Sequence, residues 1–75
     1  MANAWIVAGR CVEWPLAHLY SEARQRVLRS PKLSKYMQII MDDAWAGDED
    51  HLRWVTKAKV GDIYGWAMDI EGQRR

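Results

Sequence analysis

His18 and His51 have the widest chemical repertoire in this 75-residue chain, and they are its only histidines. An imidazole can shuttle a proton or bind a metal, but either role needs neighbours. A base needs a group to orient its ring, and a metal needs further His, Cys or carboxylate ligands at ligand spacing. The two histidines fall on different predicted helices, with no cysteine beside them. Cys11 is the sole cysteine, so neither an intrachain disulfide nor a thiolate cluster is available. Lacking a visible activating partner, it reads as a small core residue. The acids Asp42, Asp43, Asp48, Glu49 and Asp50 crowd one stretch. A calcium loop instead needs alternating acids, a central glycine and a distant Glu. No glycine-rich loop follows a strand to hold a phosphate. An enzyme is therefore not expected, and neither is a cofactor or a metal.

The elements that carry these residues read as helices. Leu16, Leu19, Tyr20, Ala23 and Val27 recur at helical spacing after Pro15, which suits a first turn. Arg24, Arg26 and Arg29 gather toward the negative end of that helix. Ser30-Pro31 restarts the chain, and Leu33, Tyr36, Met37, Ile40, Met41 and Ala44 form a second apolar stripe. Ile39 and Trp45 fall off that stripe on opposite sides at about 100° per residue. Gly47 is the predicted terminator. Acids at 48–50 open a third helix, with His51, Leu52, Val55 and Ala58 facing inward and Trp54 at the edge of the arc. A fourth carries Ile63, Trp66, Ala67 and Ile70, and Gly65 within it marks a possible close crossing. The expected fold is all-α: a bundle of four short helices near 15–29, 31–46, 48–58 and 61–71, forming one small domain over 1–75. The first fourteen residues fit either a strand or a short helix. The helix is favoured, because a lone strand would need a second chain to satisfy its backbone.

Composition narrows the functional classes. Hydrophobic residues make up 49% of the chain, enough for a core. Eleven basic residues against ten acidic ones leave a net charge of +1, which exerts no global pull on nucleic acid or an anionic membrane. No segment approaches the ~20 apolar residues of a membrane span, and the N-terminus lacks a basic region and a long apolar run. A cytoplasmic protein is expected.

The distinctive feature is aromatic: five tryptophans, three tyrosines and no phenylalanine. Interfaces are enriched in Trp, Tyr, Met and Arg, and a few such anchors carry most of the binding energy. Ile39, Trp45, Asp48, Glu49, Asp50 and Trp54 are accordingly the expected protein-contact surface, an aromatic anchor with an acidic rim around Gly47. A chain with so small a core is also a candidate homodimer. Small helical proteins without a chemical motif are typical of accessory genes on phages and other mobile elements, many of which act by occluding a host protein, as anti-CRISPR proteins do. The expected function is thus protein binding, as an inhibitor or adaptor. The alternative is a small DNA-binding regulator of helix-turn-helix or ribbon-helix-helix type, contacting nucleic acid through Arg24, Arg26, Arg29, Lys32 and Lys35. Against it, the last helix would present Asp62, Asp69 and Glu71 to the phosphates.

Overall fold

The computed structural model describes residues 4–7, 9–47 and 49–74. It is mostly helical, with a short two-stranded sheet at the N-terminus. The elements are β1 (Ala4–Val7), β2 (Arg10–Glu13), α1 (Trp14–Arg29), α2 (Pro31–Ser34), α3 (Met37–Ala46), α4 (Glu49–Lys57) and α5 (Val60–Gln73).

The favoured N-terminal helix is not formed. β1 and β2 are an antiparallel hairpin, pairing Trp5 with Val12, Ile6 with Cys11 and Val7 with Arg10. The backbone groups that each strand turns toward the other therefore find partners within the chain, without a second chain to supply them. The connection ends in Gly9 at φ +82°, a conformation that glycine adopts without a steric penalty. Strand alternation sorts the side chains. Val12 is buried and Val7 packs against the core, whereas Ile6 and Cys11 share the opposite, exposed face. Cys11 is thus not the core residue that the sequence led us to expect.

The core is built from Ala23, Val27, Leu33, Ile40, Met41, Ala44, Leu52, Val55, Ile63 and Ala67. α1 packs most extensively on α4, α3 lies against α1, α4 and α5, and the hairpin rests on α1. Burying the Val, Leu, Ile and Met side chains among these contributes about 1.5–3 kcal/mol each, offsetting the ordering entropy of a short chain. Arg26 of α1 adds a polar tie, donating Nη1–H to the Val55 carbonyl near the end of α4 at 3.1 Å.

The helix expected over 31–46 is two helices. The Tyr36 N–H turns to the Leu33 carbonyl at 2.9 Å, a tighter three-residue closure, and Tyr36 itself sits at φ −106°, ψ 12°. The break leaves Leu33 buried and sets the Tyr36 ring edge-on to Tyr64 of α5, with centroids 5.8 Å apart. Ser30 caps α2 through its carbonyl, which receives the Ser34 N–H at 2.8 Å, and not through its hydroxyl. Gly65 meets nothing within 4 Å of an added Cβ, so it marks no close helix crossing.

Candidate protein-contact site

The end of α3 determines what can become surface. Trp45 is only 8% exposed. Its ring receives the edge of Tyr20 at 5.0 Å, while the Arg10 guanidinium lies over it at 4.4 Å. Arg10 also donates to the Trp45 carbonyl at 3.3 Å. The same side chain thus covers the indole by cation–π attraction and satisfies a C-terminal carbonyl of α3. The Trp45 Nε1–H is buried without a partner among the described residues, a cost of about 1–3 kcal/mol that the surrounding packing must exceed. Trp45 is consequently a core residue, and its placement on the contact surface is corrected.

Beyond it, Gly47 closes α3 at φ −84°, the terminator expected of it, and what it supplies there is space. A Cβ built there would collide with the His51 ring. Because the Gly47 carbonyl can only accept, the His51 Nδ1 donates to it, at 2.6 Å. That bond turns the imidazole back along α4 and toward Trp66, 6.4 Å away between centroids. His51 is therefore exposed on this face, not directed inward as its helical spacing implied.

Trp54 is 40% exposed and meets Trp66 of α5 edge to face, with centroids 5.3 Å apart and planes at 83°. Asp50, His51, Trp54 and Trp66 line a cavity of about 300 Å³ between the two helices. Of the expected surface residues, Trp54 and Asp50 come together there. Glu49 is exposed nearby but is held by Arg53 one turn on. Ile39 is half-buried and takes no part in the cavity lining. Asp48 lies outside the described residues. Trp66, carried on the apolar side of the last helix, and His51, expected to face inward, were not among the expected contact residues. The spacing of Trp54 and His51, three residues apart on one helix, was the available signal for a shared face.

The basic stretch is partly engaged within the fold. Lys32 Nζ lies 4.5 Å from the Tyr64 centroid and Lys35 Nζ 5.4 Å from that of Tyr36. Loss of solvent, then the neighbouring Tyr64, and finally Glu71 hold the Tyr36 hydroxyl above the usual tyrosine range. Arg26 is committed to Val55, while Arg24 and Arg29 remain exposed. His18 pairs with Glu22 at 2.7 Å and stacks near Trp14. Among the described residues, no three His, Cys, Asp or Glu side chains come together as a metal-holding group, and no helix is long and apolar enough to cross a membrane.

The different surroundings of Trp45 and Trp54 predict different mutational costs. Trp45→Ala is expected to lose about 3–5 kcal/mol by cavity formation, enough to unfold a domain this small. Trp54→Ala is expected to lose about 1–2 kcal/mol and to keep the helical spectrum. Urea denaturation followed by circular dichroism checks the order, and an equal or larger loss at Trp54 would contradict the assignment. No family model matches the chain, and neither the comparison with curated proteins nor that with solved structures returns a match.

Proposed function

We propose that this protein is a non-enzymatic binder that occupies the surface of another protein, as an inhibitor by occlusion of the anti-CRISPR kind or as an adaptor. The observation that carries the reading is the Trp54–Trp66 pair: two large aromatics in edge contact, one of them 40% exposed, with Asp50 at the rim of their cavity. Partly exposed Trp beside a polar rim is the composition of a binding hot spot, whereas an ordinary surface gains nothing from leaving indole in water. The acidic rim suits a basic partner surface, including one that itself binds nucleic acid.

The nucleic-acid reading has less support. Lys32 and Lys35, though exposed, lie against tyrosines and Arg26 bonds a helix carbonyl, so three of the five basic side chains are engaged within the fold. The hairpin within the chain also departs from the ribbon-helix-helix template, in which a single strand pairs across a dimer.

A pull-down from lysate with wild type and Trp54→Ala in parallel tests the binder. Wild type is expected to retain a specific protein that the folded variant loses, since removal of a true anchor typically costs about 2 kcal/mol or more of binding. Retention of every partner by the folded variant would contradict the site. Specific duplex binding that weakens steeply with salt and disappears when the five basic residues are replaced would favour the regulator instead.

Self-association is a second proposal, carried by a different patch. Trp5 and Trp14, each 52% exposed, pair with ring centroids 5.4 Å apart, and Ile6, 82% exposed, stands on the other face of the same hairpin. A two-stranded hairpin also leaves free edges to which a strand of a second copy can add. Light scattering at micromolar concentration is expected to show a dimer for wild type and a monomer for Ile6→Asp. A wild-type monomer at every concentration would exclude the dimer.

A further inference from the structure

The cavity between α4 and α5 holds chemistry more specific than apolarity. An indole face carries the negative lobe of its quadrupole and attracts a cation placed within about 6 Å of the ring centroid. This chain uses that attraction at three other rings, with Arg10 over Trp45, Lys32 over Tyr64 and Lys35 over Tyr36. Among the described residues no cationic side chain is placed over Trp54 or Trp66, although they form a perpendicular corner in the cavity wall.

The charge at the rim is equally uncommitted. Glu49 is tied to Arg53. Asp50, the charged residue that lines the cavity, has no hydrogen bond or ion pair to another described residue. An apolar partner side chain pressed into this corner would strip water from the Asp50 carboxylate and leave it unpaired, an expensive burial. An acidic side chain would be repelled. A cation alone satisfies both surfaces, taking the π faces and neutralising the carboxylate. Arg53 and Lys57 also lie on α4, but Arg53 is neutralised by Glu49 and neither lines the cavity.

We propose that the Asp50–Trp54–Trp66 cavity takes a cationic side chain of the protein partner, the ammonium of a lysine or the guanidinium of an arginine. The proposal rests on the interface reading above and states the residue chemistry that the partner must present. His51, held by the Gly47 carbonyl, lines one side of the cavity with its ring centroid 6.4 Å from that of Trp66.

The test titrates ¹⁵N-labelled protein with blocked peptides identical except for one central residue, which is lysine, arginine or the neutral norleucine, while the indole N–H resonances are followed. The Trp54 and Trp66 signals are expected to move with the lysine and arginine peptides, and the Trp45 signal to stay. Norleucine should bind about three- to thirtyfold more weakly, the range spanned by exposed and desolvated cation–π contacts. Asp50→Asn should weaken the cationic peptides without changing the dispersion of the spectrum. Equal binding of norleucine and lysine, or no movement of either indole with any peptide, would overturn the cationic assignment. The interface reading fails separately, if Trp54→Ala keeps the captured partner.

Discussion

The burial of Trp45 between Tyr20 and Arg10 is the contact on which the rest of the molecule depends. It joins three elements: the hairpin through Arg10, α1 through Tyr20 and, 25 or more residues further on, the end of α3 through Trp45 itself. With the last turn of α3 held, the Gly47 carbonyl has a fixed position, and the His51 ring packs into the space that a side chain at 47 would fill. α4 then leaves in a direction that buries Leu52 and Val55 and carries Trp54 to the surface beside Trp66. The candidate site is thus a downstream consequence of core packing, reached through one glycine and one imidazole.

The five tryptophans divide by environment into separate physical tasks. Trp45 supplies volume to a core that a chain of this length could not otherwise fill. Trp5 and Trp14 form an exposed pair on the hairpin side. Trp54 and Trp66 form a second pair across the α4–α5 junction, where a carboxylate replaces the aliphatic surroundings of the core. A small protein that leaves three indoles between 40% and 52% exposed forgoes burial free energy it could use for stability. Natural sequences break this kind of local consistency chiefly where function requires it.

Much of the helical framework was legible from spacing. The first, third and fourth helices lie within two residues of their expected bounds, because their apolar positions follow one face and Pro15 and the acids at 49–50 mark two of the starts, although the last helix runs past its expected end at 71 to Gln73. The break at Lys35–Tyr36 was not legible, since the stripe continues across it and the interruption serves Tyr64, a partner 28 residues away. Trp45 was misplaced because a single-stripe reading assumes one packed side. α3 faces α1, α4 and α5 together, so its buried arc widens to include the residue after Ala44. The hairpin was missed because its glycine turn was not recognised and Ala4, Ala8, Cys11 and Val12 also fit a helical spacing. At the site, Trp54 and Asp50 were found from their off-stripe and helix-opening positions. Trp66 and His51 were not, because the Trp–Trp contact and the glycine pocket arise only when α4 meets α5.

Site-resolved photocrosslinking tests the division between core and contact surface most directly. A photoreactive phenylalanine analogue is placed at position 54, and in a separate protein at position 28, where Leu28 is similarly exposed on α1. Irradiation in the presence of the partner is expected to yield a covalent adduct from position 54 and none from position 28. An adduct from position 28 with none from 54 would contradict the assignment of the α4–α5 cavity as the surface through which this protein acts.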